Sequence, residues 1–445
     1  MLETKLDPVT YPAETTVPDL TPKDLYKKAE ALRPRLLDAQ AETEKRGTYA
    51  PEIRDEFEKA GFYKFIHPRK YGGFQFAIPD YYKLIVEIAR GCPSTAWCYA
   101  LGTGKSLMIA SFYPEEAQAD IHREVGVIHA GYGPGRSAAK AVDGGYLVSG
   151  SFNYCSGIPY ANHLLATAPV DAENSDARVS TWAAGKVSNL VEFFVPRDRI
   201  EIMDDWGDGR TLGLNGSGSF SARIKDDTFV PASHVIPDVG HFRDPFRDIE
   251  KGTVGYQLHG DPMYLGYVEY FLTGEITAVM VGAARAMLDE VQELMRTRVG
   301  VGGLYGNHYA AQAEYGEALK LVDGAEAILM QGAMMGQEYS ANWERTHELP
   351  TQDQIWRIAN MFQLSNYMCW EAGLIAFRLV GTTPLKGGQR VQRYFRDLAQ
   401  ERGQATVTGR MFRDSGLKAH LGLGPDGKFP MPEAAERRFR GGTGV

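Results

Sequence analysis

The apolar residues of this chain change period twice, and that limits its fold more than any single motif does. Up to about residue 125 they recur at helical spacing, as in LTPKDLYKKAEALRPRLLDAQAETEKRG, PEIRDEFEKAGF and IPDYYKLIVEIARGCPSTAWCYALGTGKSLMIASF. Thr21-Pro22-Lys23-Asp24 has the form of a capped helix start, and Pro51 suits the first position of a second helix. From about Gly126 the period falls to two in VGVIHAGYGPG, GGYLVSGSFNYCSG, HLLATAPV, VEFFVP and GSFSARIKDDTFVP, set between Gly-rich turns. After an irregular stretch of Gly, Asp, Pro and His, long enough to suggest a functional role, the helical period returns near Met263. Four long segments then predict an up-down bundle, with Gly282-Ala283-Ala284 permitting close helix approach. The pattern predicts an α+β chain in three units: a helical domain over 1–125, a β-domain (barrel or sandwich) over 126–240, and over 241–445 the bundle with its connecting loop and an exposed tail.

Composition narrows the partners. A formal net charge of -8 and a pI near 5.8 argue against a nucleic-acid surface, which needs clustered Lys and Arg. The N-terminus lacks a basic segment followed by an apolar run, and no window approaches the roughly 18 to 20 apolar residues of a membrane span, so a cytoplasmic protein without a membrane partner is expected. Cys92, Cys98, Cys155 and Cys369 fit no CxxC or Cys/His metal spacing and read as reduced, buried thiols. No GxGxxG follows a strand and opens a helix, so the chain is not expected to take electrons from a nicotinamide itself.

Several segments carry a more specific signal. WGDGRTLGLNGSGSFSARIKDDTFVP (Trp206 to Pro231), AGFYKFIHPRKYGGF with ARGCPSTAW, HAGYGPGRSAAKAVDGGYLVSGSFNYCSG, GAARAMLDEVQELMRTRVGVGG and VQRYFRDL together resemble the acyl-CoA dehydrogenase superfamily over nearly the whole chain. The resemblance implies that the β-domain covers one side of a flavin. Tyr132, Gly133 and Pro134 would line the ring, and Tyr154, Ser156 and Gly157 would face its edge, with the Ser156 hydroxyl reaching the flavin N5. Trp206 would supply an apolar plate, a β-domain core tryptophan being the alternative. Arg298 is the match for an arginine that meets the flavin phosphate, with Arg296 as competitor. Arg396, beside Asp397, would touch the cofactor or brace subunit contacts.

Within the superfamily the chain departs from the dehydrogenases. Where these carry a glutamate base past the Arg-Asp pair, this chain has Gln404 and Ala405, and an amide cannot serve as the base. Glu269 and Glu275 lie on the first bundle helix without occupying the matching turn. GGYLVSGSFNYCSG, LGLNGSGS and QRYFRDL are closer to the flavin-dependent monooxygenases of this fold. That resemblance implies the oxygenase component of a two-component system, receiving reduced FMN or FAD from a separate NAD(P)H:flavin reductase. With molecular oxygen as co-substrate it would form a flavin C4a-hydroperoxide and hydroxylate, or oxidise a heteroatom of, a small organic, aromatic substrate. Aromatic hydroxylases of the group place two histidines where this chain has Lys105 and Gln404, which leaves their proton chemistry open here. Lys105 could act as a base if burial depressed its pKa, could bind an anionic substrate group, or could be a solvated lysine. His129 is the remaining acid/base candidate, a strand histidine being its alternative, and His163 reads as structural. A homotetramer through the bundle, around Ile358 to Leu379, is implied as well. The competing readings are a flavin dehydrogenase or oxidase with a relocated base, and a non-catalytic flavin-fold partner protein.

Overall fold

Thr21 and Asp24 close the start of α1 (Pro22–Arg46): the Asp24 carboxylate accepts from the Thr21 N–H (2.9 Å) and the Thr21 hydroxyl (2.7 Å). α2 (Pro51–Ala60) begins on Pro51, whose missing N–H costs nothing in a first helical turn. α3 (Ile78–Gly91), α4 (Pro93–Phe112) and α5 (Glu115–Ile121) complete the first block. The structure is a computed structural model, described here for residues 20–122, 129–131, 135–170, 189–237, 250–300, 303–424 and 428–429. α4 is buried all round except at Leu101 and Lys105, which makes it the central helix of the molecule.

The period-two segments form two four-stranded sheets. One runs in the order β1 (His129–Gly131), β4 (His163–Pro169), β5 (Leu190–Pro196), β8 (Val235–Pro237), with β1 parallel to β4 and the rest antiparallel. The other is antiparallel, in the order β2 (Gly135–Val142), β3 (Gly145–Phe152), β7 (Ala222–Pro231), β6 (Ile200–Ile202). They meet as a sandwich across Val148, Phe152, Leu164, Ala166, Val191, Phe193 and Ile224. The first sheet is also covered outside, where Leu165, Leu190 and Phe194 pack on Met108, Ile109, Phe112 and Tyr113. β5 is therefore buried on both faces and reads as a nearly unbroken apolar run rather than an alternation. Side-chain alternation puts Glu192, the charged member of that run, on the helix-facing side with Leu190 and Phe194.

After α6 (Val254–His259), the bundle is built from α7 (Val268–Thr297), α8 (Tyr309–Thr346), α9 (Gln352–Val380) and α10 (Arg390–Leu421), with a small hairpin of β9 (Val299–Gly300) and β10 (Gly303–Leu304) after α7. The two helical blocks share one core: Leu25, Phe57, Tyr81 and Ile85 of the first join Phe271, Val279, Leu329, Phe362 and Leu398 of the last. α3 lies so close on α7 that a Cβ at Gly282 would stand 2.4 Å from the Ala89 Cβ. The β-sandwich is thus inserted into an otherwise continuous helical body. α7 is long and apolar enough from Tyr270 to cross a membrane, which corrects the expectation that no window approaches that length, but most of its apolar stretch is buried in this core. All four cysteines are buried thiols outside any disulfide.

Candidate active site

The loop that leaves β3 is fastened to the turn before β7. Cys155 N–H donates to the Phe220 carbonyl at 3.1 Å, and Gly157 N–H to the Ser217 carbonyl at 3.2 Å. Gly157 has φ +79° and Gly218 φ +60°, conformations that suit glycine. A Cβ at Gly218 would lie 3.2 Å from both the Cys98 sulfur and the Gly157 nitrogen, so the two loops and α4 meet with no room for a side chain. The first turn of α4 anchors the pair: Gly216 N–H donates to the Ser94 hydroxyl at 3.3 Å and the Cys98 thiol to the Gly216 carbonyl at 3.6 Å.

This junction creates a chain of buried hydroxyls. Trp97 Nε1–H donates to Ser156 Oγ at 3.1 Å, Ser156 Oγ bonds Ser219 Oγ at 2.8 Å, and Ser219 Oγ bonds Ser217 Oγ at 2.7 Å. A hydroxyl has one hydrogen and two lone pairs, so Ser156 keeps one hydrogen-bonding position for a ligand after serving Trp97 and Ser219. Close by, Tyr154 is held at φ +57° with its side chain 58% exposed, and its ring stands perpendicular to Trp206 at 5.9 Å. Trp206 Nε1 is buried without a hydrogen-bond partner among the described residues. An open aromatic pair, an unpartnered indole N–H and a spare hydroxyl position fit the polar rim of a planar ring such as the expected flavin. Tyr154, Ser156, Gly157 and Trp206 are thus brought together. Tyr132, Gly133 and Pro134 lie outside the described residues.

The two expected arginines are already engaged within the chain. Arg396 donates to Glu44 (2.7 Å), Gln392 (2.7 Å) and the Leu212 carbonyl (2.8 Å). Asp397 accepts the Leu214 N–H at 2.6 Å, and a Cβ at Gly213 would stand 2.1 Å from the Arg396 carbonyl oxygen. Arg393 adds a bond to Glu44 at 2.7 Å. Arg396 and Asp397 therefore brace the turn that carries Ser217 and Ser219 against α1 and α10. Arg298 caps the far end of α7, donating to the Val380 carbonyl at 2.8 Å with its guanidinium over Tyr305, and stands at the opposite end of that helix from Glu275. Within one chain the structure does not gather it with Ser156.

Lys105 lies two turns along α4 from Trp97, where its ammonium is 3.6 Å from Glu275 Oε1 of α7 and acts electrostatically on Glu192 of β5. Burial pushes the Glu275 carboxyl up to about 7 and the Glu192 carboxyl up to about 8, each held back by the Lys105 charge. Lys105 is therefore largely buried beside the Glu275 carboxyl rather than a solvated lysine. His129 pairs in register with His163 between β1 and β4. Burial takes the His163 imidazole down to about 4, so it is neutral at ordinary pH. The side chains of His129, Gln404 and Glu269 lie outside the described residues. Sequence reasoning missed Trp97, Ser217, Ser219, Glu192 and the partnership of Glu275. The available signals were a lone Glu in each of two apolar runs, FLTGEITAVM and LVEFFV.

Family models agree with this architecture: acyl-CoA dehydrogenase, N-terminal domain, matches residues 27–123, and acyl-CoA dehydrogenase, C-terminal domain, matches residues 275–402. The chain is 27% identical over 389 residues to a pigment production hydroxylase of Rhodococcus sp. (strain ATCC 21145), covering 86% of this chain and 92% of that protein. It is 25% identical over 388 residues to the flavin-dependent monooxygenase, oxygenase subunit HsaA, of Rhodococcus jostii (strain RHA1), covering 83% and 91%. The fold matches that of XiaF from Streptomyces sp., solved in complex with FADH2 and glycerol, with a TM-score of 0.77 at 19% identity over 92% of this chain and 98% of that one.

Proposed function

The chain belongs to the acyl-CoA dehydrogenase superfamily, and on that premise we propose that it is the oxygenase component of a two-component flavin-dependent monooxygenase acting on a small aromatic molecule. The observation that carries this is the buried hydroxyl chain from Ser217 through Ser219 to Ser156, held by Trp97 and opening beside Tyr154 and Trp206. Reduced FMN or FAD, delivered by a separate NAD(P)H:flavin reductase, supplies the electrons that activate molecular oxygen for transfer to the substrate. Ser156 would offer a hydrogen bond to the cofactor's polar edge, its hydroxyl fixed in direction by Ser219 and Trp97. Gly157 and Gly218 let the two loops close on α4, and Tyr154 and Trp206 would flank the rim of the bound ring. The buried Lys105 and Glu275 hold a proton at the substrate end. The relatives' names, which specify an oxygenase subunit and a flavin, support the partner and the cofactor class. A homotetramer is supported by apolar side chains left exposed on the bundle, Leu364 and Tyr367 of α9 and Leu417 and Leu421 of α10. A cytoplasmic location completes the proposal.

One observation favours a second reading, an acyl-thioester dehydrogenase or oxidase with a relocated base: Glu275 is a buried carboxyl with a raised pKa on the first bundle helix. Anaerobic titration with reduced FMN and reduced FAD, followed by mixing with oxygen and an aromatic substrate, separates the two. The monooxygenase binds a reduced flavin more tightly than its oxidised form and yields oxygenated product. Stoichiometric bleaching of bound FAD by an acyl-CoA, with no oxygenation, would establish the second reading instead.

A further inference from the structure

The hydrogens of the chain from Trp97 through Ser156 and Ser219 to Ser217 can be assigned in two ways. Trp97 Nε1–H can only donate, so its 3.1 Å bond takes one lone pair of Ser156 Oγ and leaves that oxygen a second lone pair and its own hydrogen. Ser219 Oγ, 2.8 Å away, takes up whichever of these a ligand does not. The Ser219 hydrogen has two directions: toward Ser156, or toward Ser217, whose hydroxyl oxygen lies at 2.7 Å and whose backbone carbonyl lies at 3.5 Å. When Ser219 donates to Ser156, the Ser156 hydrogen faces outward and Ser156 is a donor to a ligand. When Ser219 donates toward Ser217, it accepts the Ser156 hydrogen, and the remaining lone pair of Ser156 is an acceptor. The exchange rotates hydroxyl hydrogens and moves no heavier atom. Ser156, Ser217 and Ser219 are all buried, so the protein's own groups rather than bulk water decide it.

The atom expected opposite Ser156 makes contrary demands in its two states: N5 of an oxidised flavin is an acceptor, and N5–H of a reduced one is a donor. A backbone N–H or carbonyl, fixed as donor or acceptor, suits one state alone. A hydroxyl suits both only if its hydrogen has a second place to go. We propose that Ser219 is that place, a positioning residue that lets Ser156 bond N5 of the oxidised and of the reduced flavin alike. The proposal rests on the function given above and deepens it. That function takes the flavin up reduced and leaves it oxidised, so both demands fall on Ser156 in every turnover. Gly218, at φ +60° and with no room for a Cβ against the Cys98 sulfur and the Gly157 nitrogen, holds the turn before β7 close enough for the 2.8 Å contact between the two serines.

The test is anaerobic titration of the full-length protein with oxidised and with reduced FMN and FAD, read by flavin absorbance and fluorescence, which needs no turnover. In Ser219→Ala the Ser156 hydrogen can still meet an oxidised N5, but when a reduced N5–H takes the Ser156 lone pair that hydrogen is left bare. Reduced flavin should therefore lose roughly two- to twelvefold in affinity relative to oxidised flavin, the weight of one ordinary hydrogen bond. The same ratio lowers the two-electron midpoint potential of the bound flavin by about 9 to 32 mV, at about 29.6 mV per tenfold. Ser219→Thr, which keeps a hydroxyl, should restore the parent ratio. Ser217→Ala, which keeps the Ser217 carbonyl as acceptor, should shift the ratio less. Equal weakening of both flavin states in Ser219→Ala, an unchanged ratio there, or no rescue by a folded Ser219→Thr overturns the proposal. A parent protein that binds neither flavin overturns the function and this proposal together. Selective loss of reduced-flavin affinity in a protein that oxygenates no aromatic substrate overturns the function alone and leaves the role of Ser219 standing.

Discussion

Asp397 accepts the Leu214 N–H at 2.6 Å and so ties the last helix to the turn that presents Ser217 and Ser219. Leu214 sits at φ +51°, a left-handed conformation that a leucine adopts only when its surroundings impose it. Asp397→Ala leaves that N–H buried and bare. The expected cost is about 1–3 kcal/mol in denaturant unfolding, accompanied by more hydrogen peroxide per reduced flavin oxidised, because the serines lose their register with Ser156. Asp397→Asn keeps an acceptor oxygen and should lose less on both measures.

Ser156→Ala tests the site most directly. It should cost about 1–3 kcal/mol of stability, because the buried Trp97 Nε1–H loses its acceptor, while the fold still assembles and turnover is diverted from product to hydrogen peroxide. One hydrogen bond of about 0.5–1.5 kcal/mol corresponds to roughly a two- to twelvefold change in rate if expressed wholly in the transition state. Lys105→Ala and His129→Ala are the contrasts, expected to lower substrate turnover more than they raise the peroxide fraction. Unchanged coupling in the Ser156 variant would reduce this serine to a structural role.

Glycine substitutions separate close packing from mere flexibility. A Cβ at Gly213 would meet the Arg396 carbonyl oxygen at 2.1 Å, backbone that cannot swing aside, so Gly213→Ala should destabilise by about 1–3 kcal/mol or more. Gly316, exposed in α8 with nothing within 4 Å of its would-be Cβ, is the counterpart. Gly316→Ala should stabilise by roughly 0.5–1 kcal/mol. Thermal unfolding of the two variants against the parent decides whether the opposite signs hold.

The dependence of stability on pH has two opposed sources. Burial raises Glu192 to about 8 and Glu275, Asp397 and Glu401 to about 7. It lowers His67 to about 3, His163 and His259 to about 4, and His122 well below its ordinary value of 6.5. A raised carboxyl contributes stability that is present below its unfolded pKa and lost as pH rises through 7 to 8. A lowered histidine contributes stability that is present above 6.5 and lost as pH falls toward its folded value. Between about pH 4.5 and 6.5 unfolding takes up about as many histidine protons as it releases carboxyl protons, and the slopes cancel. A Tm plateau over that range is expected, falling between about pH 6.5 and 8 and again below about 4.5, with Glu275→Gln and Glu192→Gln flattening the alkaline fall. A Tm that climbs steadily from pH 7 to 9 would contradict it.

The period changes made the three blocks readable, because a helix and a half-buried strand each leave a local trace of their burial. The Ser156 loop and the Gly213–Ser219 turn were readable as turns from their glycines, but the hydroxyl chain that Ser217 and Ser219 make with Ser156 was not. Lys105 was noticed, but its electrostatics were not, since Glu275 and Glu192 reach it from elements far along the chain and no local pattern records that meeting. Arg396 and Arg298 show the converse: their motif matched, and their guanidinium partners are set by Glu44, Leu212 and Val380, which the motif does not contain. Strand β5 hid Glu192 because a second covered face removes the alternation that would have marked a polar position.

Gln40 of α1 donates to the Tyr394 hydroxyl of α10, a bond across 354 residues, and the common helical core closes only when such pairs meet. At about 5–20 residues per second, a ribosome delivers the second partner roughly 20 to 70 s after the first. Through that interval the emerging helices hold an apolar face that the last helices have yet to cover, while the sandwich between them already has its own core and α4 to pack on. Premature termination before α10 should therefore leave aggregation-prone chains rather than a smaller enzyme, and the yield of native protein in a cell should depend on chaperones that shield the amino-terminal helices until the carboxy-terminal ones arrive.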